Sequence, residues 1–315
     1  MRPVLPLLPF LFLLAAASAF AQSERDPKTL HDAERTNDII VARRAFDASA
    51  RSLLTPKYRE AVEHYEPGTA DLHAAWGEFV AADGMPFLAL QLAPRDAAAV
   101  KDGERITFFG LVTDENGKAI ATYNEPQTVV ASNGDLLVER SLLLPLRKSR
   151  GTFGLARRND IIGVARIDFD PEPLNATSSG ISRIIASSDV HILPAAQSPL
   201  DPFAFGGTKV VPKPGASFRK SEEVWLFTEL RNPTLGADGA PHVTTKVEID
   251  GAAKSIPGIA VPTEATALKG VPGHYGIGNT IDVTSLPPGD YKVRLTVTDT
   301  VAKQAYKRET EIHIR

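Results

Sequence analysis

Strict two-residue alternation near the end of the chain constrains its fold more than any other feature. After Leu286 a Pro-Pro-Gly turn leads into Tyr291-Lys-Val-Arg-Leu-Thr-Val-Thr298. Tyr291, Val293, Leu295 and Val297 fall on one side, and Lys292, Arg294, Thr296 and Thr298 on the other. Successive side chains of a strand point to opposite faces, so the pattern predicts a half-buried antiparallel strand. A second strand-like run, Tyr306 to Arg315, follows. In immunoglobulin-like sandwiches a tyrosine near the start of a late strand packs at the corner between the sheets, and Tyr291 is placed to do this.

The opposite end reads as an export signal. Arg2 begins a short basic lead, Phe10 to Ala17 is apolar, and Ala19-Phe20-Ala21 has the small-x-small pattern of a cleavage site, so residues 1–21 are expected to be removed and the mature chain to start at Gln22. The apolar run is too short for a bilayer core of about 30 Å. The expected location is periplasmic or extracellular, with no membrane span after removal of the signal. The chain has no cysteine, which rules out disulfides, thiolate metal sites and lipidated thiols. Stability outside the cell then rests on apolar burial in domains of about 100 residues or more. Loss of Arg2 leaves a net charge of −4 with the signs well mixed, which gives no basic face for nucleic acid.

Residues 22–82 are predicted to be a helical N-terminal segment. Leu30, Ala33, Ile40, Val41, Ala45 and Ala48 form an apolar stripe at helical spacing, Thr55-Pro56 is a helix start, Glu66-Pro67-Gly68 is a stop, and 69–82 leans to helix. From Asp83 the texture changes to short β-rich runs bounded by turn formers, seven over 83–193 and seven over 207–315. Asp114-Glu-Asn-Gly117 is a tight hairpin connection. Two weak repeats relate the series: Lys101–Phe109 lies over Lys220–Thr228, and Gly151–Leu155 over Gly289–Val293. The Pro/Gly-rich stretch 194–206 is predicted to be a semi-rigid linker. The expected fold class is therefore mainly β, with two tandem immunoglobulin-like β-sandwiches following a short helical segment.

Ile185-Ala-Ser-Ser-Asp-Val-His-Ile-Leu193, Val210 to Phe218, Glu223-Val-Trp-Leu-Phe-Thr-Glu-Leu-Arg-Asn232 and the closing Leu286-Pro-Pro-Gly-Asp-Tyr291 together resemble the C-terminal region of exported bacterial proteins that carry a von Willebrand factor A-related domain. They also look like the β-rich tail of GWxTD-domain proteins. The resemblance covers about the last two-thirds of the chain. An A domain needs Asp-x-Ser-x-Ser after a buried strand. Here Asp47-Ala-Ser49-Ala-Arg51 ends in arginine and sits on a predicted helix, so the resemblance implies the sandwich region without the A domain or its metal site.

Asp168, Asp170 and Glu172 lie at steps of two near a strand end, and three hard oxygens on one face suit Ca²⁺. The plain alternative is a solvated acidic strand end running into Pro171 and Pro173; a Ca²⁺ site needs six to eight oxygens, and no second acidic cluster is near in sequence. The seven histidines show no zinc spacing, and Ser178-Ser-Gly180 and Ser187-Ser-Asp189 have no base partner in sequence. Asn175-Ala-Thr177 is a glycosylation sequon and predicts a surface loop. Trp225 is expected in the core, while Trp76 can serve either packing or sugar stacking.

Two functions from different classes fit these residues. The first is a non-catalytic exported binding or scaffolding module that meets an envelope protein or a polysaccharide through strand edges or end loops. The second is an enzyme or carbohydrate-processing accessory module whose site is assembled from distant residues.

Overall fold

The computed structural model describes residues 40–41, 44, 50–68, 71–80, 86–144, 147–171, 178–193, 200–205, 207–268 and 271–315. The expected signal peptide and most of the predicted amphipathic stripe lie outside these residues. Ile40 and Val41, two stripe positions that are described, are helical and exposed. No described helix is long and apolar enough to cross a membrane.

Helix α1 (Pro56–Glu63) precedes a run of strands. β1 (Leu72–Val80), β2 (Pro86–Pro94), β3 (Arg105–Asp114), β4 (Ala119–Thr128), β5 (Val130–Ser132), β6 (Asp135–Leu142), β7 (Ser149–Arg157) and β8 (Asp160–Phe169) form two four-stranded antiparallel sheets, ordered β1-β2-β6-β5 and β4-β3-β7-β8. A shared core closes between them, with Leu88, Leu90, Leu92, Val138 and Leu142 from the first sheet meeting Phe108, Tyr123, Phe153 and Phe169 from the second. Ring centroids of 5.7–6.2 Å link the four aromatics in tilted, stacked and edge arrangements.

The remaining strands are β9 (Gly180–Ile181), β10 (Ile185–Ile192), β11 (Ala204–Phe205), β12 (Thr208–Pro212), β13 (Ser217–Phe218), β14 (Val224–Arg231), β15 (Val243–Gly251), β16 (Val261–Thr263), β17 (Thr266–Ala267), β18 (His274–Ile281), β19 (Gly289–Asp299) and β20 (Gln304–Ile314). They build a seven-stranded sheet, β11-β12-β10-β14-β18-β17 with β9 also on β14, and a five-stranded sheet, β13-β20-β19-β15-β16. A second core fills the space between these sheets. The alternation in β19 is realised: Tyr291, Val293, Leu295 and Val297 are buried, and Lys292 and Arg294 are exposed. Tyr291 donates its hydroxyl proton to the Pro287 carbonyl at 2.8 Å, pinning the turn to the strand it feeds.

Four expectations are corrected. Residues 72–80, predicted helical within the 22–82 segment, form β1, because all nine pair in register with β2 and tertiary pairing overrides an ambiguous local pattern. Ile185–Ile192, placed by sequence in the first strand series, pairs with β12 and β14 of the second. The 194–206 linker is partly built into the fold: Leu200 and Phe203 are buried, and β11 pairs with β12. The repeat does not carry over into topology, since β3 and β7 are neighbours in one sheet while β14 and β19 belong to different sheets. Residues 194–199 lie outside the described set.

The cap signal is realised in α1. Thr55 Oγ1 accepts from the Tyr58 amide at 3.3 Å, and Pro56 occupies the first turn. The helix crosses the outer face of the β4-β3-β7-β8 sheet, where Tyr58 stacks on Phe109 at 4.4 Å and 9°. Gly154, directly across the ladder from Phe109, supplies the space, because a Cβ there would stand 2.1 Å from the ring. Before the helix, Thr122 on edge strand β4 donates to Ala50 O at 2.9 Å and accepts from the Ser52 amide at 3.1 Å. Beyond the helix, Asp71 bridges Val164 on the opposite edge strand β8, and Arg166 donates to Tyr65 O at 3.1 Å. Residues 50–68, with Asp71, therefore form a strap across the sheet that engages both of its edges, where unpaired backbone would otherwise invite another chain.

Gly154→Ala is expected to cost about 1–3 kcal/mol by overpacking against Phe109, and Tyr291→Phe about 1 kcal/mol by losing one hydrogen bond. Urea midpoints measured at constant m-value check both.

Candidate functional site

The most unusual chemistry lies between the two sheet pairs. β2 is buried on both faces: Leu88, Leu90 and Leu92 enter the first core, while Phe87, Ala89 and Ala93 pack against Ile185, Leu200, Phe203, Val210 and Val211 of the second pair. β6 does the same with polar groups. Asp135 reaches Lys213, Leu137 packs on Val211, Glu139 reaches Lys209, and Ser141 donates to Leu200 O at 2.6 Å. Every second residue of this strand thus contacts the other half, as a period of two requires.

Three cations of the second half organise this joint, and each is shared by two carboxylates, one from either side. Lys209 Nζ lies 2.6 Å from Glu139 and 2.8 Å from Asp201. Lys213 Nζ lies 3.0 Å from Asp135 and 2.8 Å from Glu222. Arg231 lies 3.4 Å from Glu229 and 4.0 Å from Glu78, and also donates to the Glu78 carbonyl at 3.4 Å. His274 Nδ1 stands 2.6 Å from the free side of Glu229. The Arg183 amide donates to Glu78 Oε1 at 3.2 Å, and its guanidinium lies 4.2 Å over the Trp76 ring. Ser132 and Asp189 add a further hydrogen bond across the joint.

Burial sets the electrostatics. It pushes Glu78 above the usual carboxylate range, with Arg231 opposing. It does the same to Glu139, with Lys209 opposing. It lowers Arg183. Burial also disfavours the charge on Lys213, but its hydrogen bonds to Glu222 and Asp135 outweigh this and hold its pKa up. One oxygen of each of the two joint glutamates on the first sheet pair, Glu78 Oε2 and Glu139 Oε1, is buried without a hydrogen-bond partner. Glu78, Glu229 and Arg231 are almost wholly closed from solvent, and the joint groups together hold the two surfaces against each other.

One end of the second sheet pair carries a surface depression with several polar residues in its walls. A shallow groove of about 370 Å³ lies over the paired ends of β15 and β16, with His242, Thr244, Pro262, Glu264 and Thr300 among its walls. His242 Nε2 lies 3.0 Å from Asp238, which is held below its ordinary pKa first by the Ala240 amide and then by this histidine.

The residues singled out by sequence lie elsewhere. Asp168 is ion-paired to Arg150 at 2.6 Å, and Asp170 lies 4.0 Å from Lys148, so a cation there would have to displace both. Glu172, Asn175 and Asp47 to Ser49 lie outside the described residues. Among the described residues no three His, Asp or Glu side chains converge as metal ligands. Ser187 is spent on the Val211 carbonyl at 2.6 Å, and Ser179 on Asn232 O at 2.7 Å. Arg183 covers one face of Trp76 while Phe169 meets it edge-on at 5.1 Å, so packing is the role this ring fills. Trp225, expected in the core, is half-buried and stacks with Phe227 at 5.9 Å on the sheet face away from the second core. The joint was missed because residues 69–82 read as helix, which hid Glu78. The phase of β14 carried the signal, since Glu229 and Arg231 continue the face of Trp225 and Phe227.

By architecture this is a mainly β protein of several antiparallel sheets, consistent with a β-sandwich. Compared with known protein families and with curated proteins, the chain matches none.

Lys209→Ala is expected to destabilise the fold by about 3–5 kcal/mol, because it strands two carboxylates in the joint. Replacing Lys209, Glu139 and Asp201 together by Met, Gln and Asn should cost far less, which chemical denaturation of the two variants checks. Thermal midpoints in excess Ca²⁺ and in chelator are expected to coincide; a rise of several degrees with Ca²⁺ would restore the acidic strand end as a site.

Proposed function

We propose that this chain is a non-catalytic exported protein, a binding or scaffolding module of a bacterial envelope or secretome. In this reading two immunoglobulin-like sandwiches, related to the β-rich C-terminal region of von Willebrand A-related and GWxTD proteins, present an end surface to an envelope protein or a polysaccharide. One observation carries it: Glu78, Glu229, Arg231 and Lys209, among the most buried ionisable groups, fix one sheet pair against the other, while a shallow groove at an edge strand leaves His242, Glu264 and Thr300 open to solvent. Rigid spacing of end surfaces is what a scaffold requires, and strand edges and end loops are where sandwiches meet partners.

The groove gives the reading a direct test. Thr244→Arg, on the solvent-facing side of β15, fills the groove without touching either core, whereas Lys303→Ala alters a turn outside it. Immobilised protein is expected to retain a specific envelope protein or glycan, with at least tenfold less retained by Thr244→Arg and no change for Lys303→Ala. Equal retention by all three proteins, or none by any, would remove the reading.

A further inference from the structure

We propose that the joint between the two sheet pairs is proton-linked: proton uptake by Glu78 and Glu139 strengthens the packing of the inner sheets, so that mild acid couples the two halves more firmly.

The argument begins with charge balance. Around Arg231, Lys209 and Lys213 stand six carboxylates, those of Glu78, Glu229, Glu139, Asp201, Asp135 and Glu222. Lys209 and Lys213 each stand between two carboxylates, while Arg231 shares Glu78 with Arg183 and Glu229 with His274. Glu78, on β1, is faced by Arg231 and Glu229 from β14, by Arg183 from the β9–β10 connection, and at the next remove by His274 from β18. Arg183 is in turn influenced by Arg308 of β20 and by Asp170. Glu139, on β6, is faced by Lys209 from β12, by Asp201, and by Gln91 directly opposite on β2.

Hydrogen bonding singles out which acids take the proton. Glu229 and Glu222 each have both oxygens engaged, by Arg231 and His274 in one case and by Lys213 and the Arg219 amide in the other. Glu78 Oε2 and Glu139 Oε1 are buried with no partner. A buried ionised oxygen without a donor is costly, and a proton on it removes most of that cost. Gln91 faces Glu139 with its amide nitrogen, which is buried and short of good hydrogen-bond geometry and gives the ionised acid a small part of its support; turned over, the same amide presents its oxygen to protonated Glu139. The upward displacement of both acids by burial agrees with this geometry.

The sign follows from linkage. An acid that binds its proton more readily in the folded protein adds stability that is fully present below its unfolded value of about 4.3 and is lost as the pH rises through the folded midpoint. Carboxylates held low, such as Asp238 and Glu309, act in the opposite sense but only below that value, so they are silent between pH 5 and 8. His73, lowered by burial, opposes the trend within this window and is cancelled by comparing variants that share it.

The test uses the mature chain and the double variant Glu78→Gln/Glu139→Gln, whose amides are neutral isosteres of the protonated acids. Urea unfolding is followed at pH 5, 6, 7 and 8 by tryptophan fluorescence in backgrounds that keep Trp76 alone, reporting the first half, or Trp225 alone, reporting the second. At pH 8 the double variant is expected to unfold with an equilibrium constant at least tenfold smaller than wild type by both reporters, and the advantage should shrink steadily from pH 8 to pH 5. An advantage that does not change with pH, that appears in one half alone, or that is absent at pH 8 would overturn the proposal. Carboxyl-carbon NMR of the wild-type protein guards against a variant that simply folds poorly: two glutamates should titrate above pH 4.5, and ordinary midpoints for both would overturn it equally.

Discussion

A sheet with two faces to bury is the constraint on which this architecture depends. An antiparallel sheet normally gives one face to a core and the other to water. In β2 both faces are apolar, and β6 alternates Leu136, Val138 and Leu142 on one side with Asp135, Leu137, Glu139 and Ser141 on the other. One layer cannot satisfy such strands. The first core takes one face, and the seven-stranded sheet of the second half takes the other, so the two sheet pairs share a joint and are not merely tethered.

That joint is only partly greasy. Phe79, Phe87 and Phe203 occupy one region, with ring centroids 5.6 and 5.9 Å apart, and charges occupy the rest. Removing ions from water costs several kcal/mol each, and attraction repays this only where the geometry is good. Each joint cation sits between two acids, one from either half, which limits how the sheets can slide past each other, since any displacement separates a buried cation from one of its partners. Apolar packing here supplies adhesion, and the ionic groups supply register.

Much of the strand inventory was legible because period-two alternation is local. β19, β3 and β15 announce themselves through alternating aliphatics, and the Asp114 to Gly117 connection through its glycine, which adopts φ +76° while Asp114 caps the turn. The helix start at Thr55-Pro56 was equally local. β1 was not, because its alanines and lone Trp76 fit helix and strand alike and only pairing with β2 decides. Nor was the assignment of β10, whose apolar residues serve any core; its neighbours in space are determined by β14, some forty positions later. The joint's ion clusters join positions as far apart as Glu78 and Arg231, a relation that no local pattern encodes.

The strap over the outer sheet has a consequence for the order of assembly. Its bonds reach forward about a hundred positions, from Tyr58 to the Arg158 carbonyl and from Tyr65 to Arg166. A chain made from its amino end therefore releases the strap long before the surface that receives it exists. Until β8 has joined its sheet, the segment synthesised ahead of it has nowhere to dock, so this part of the fold closes backwards along the chain.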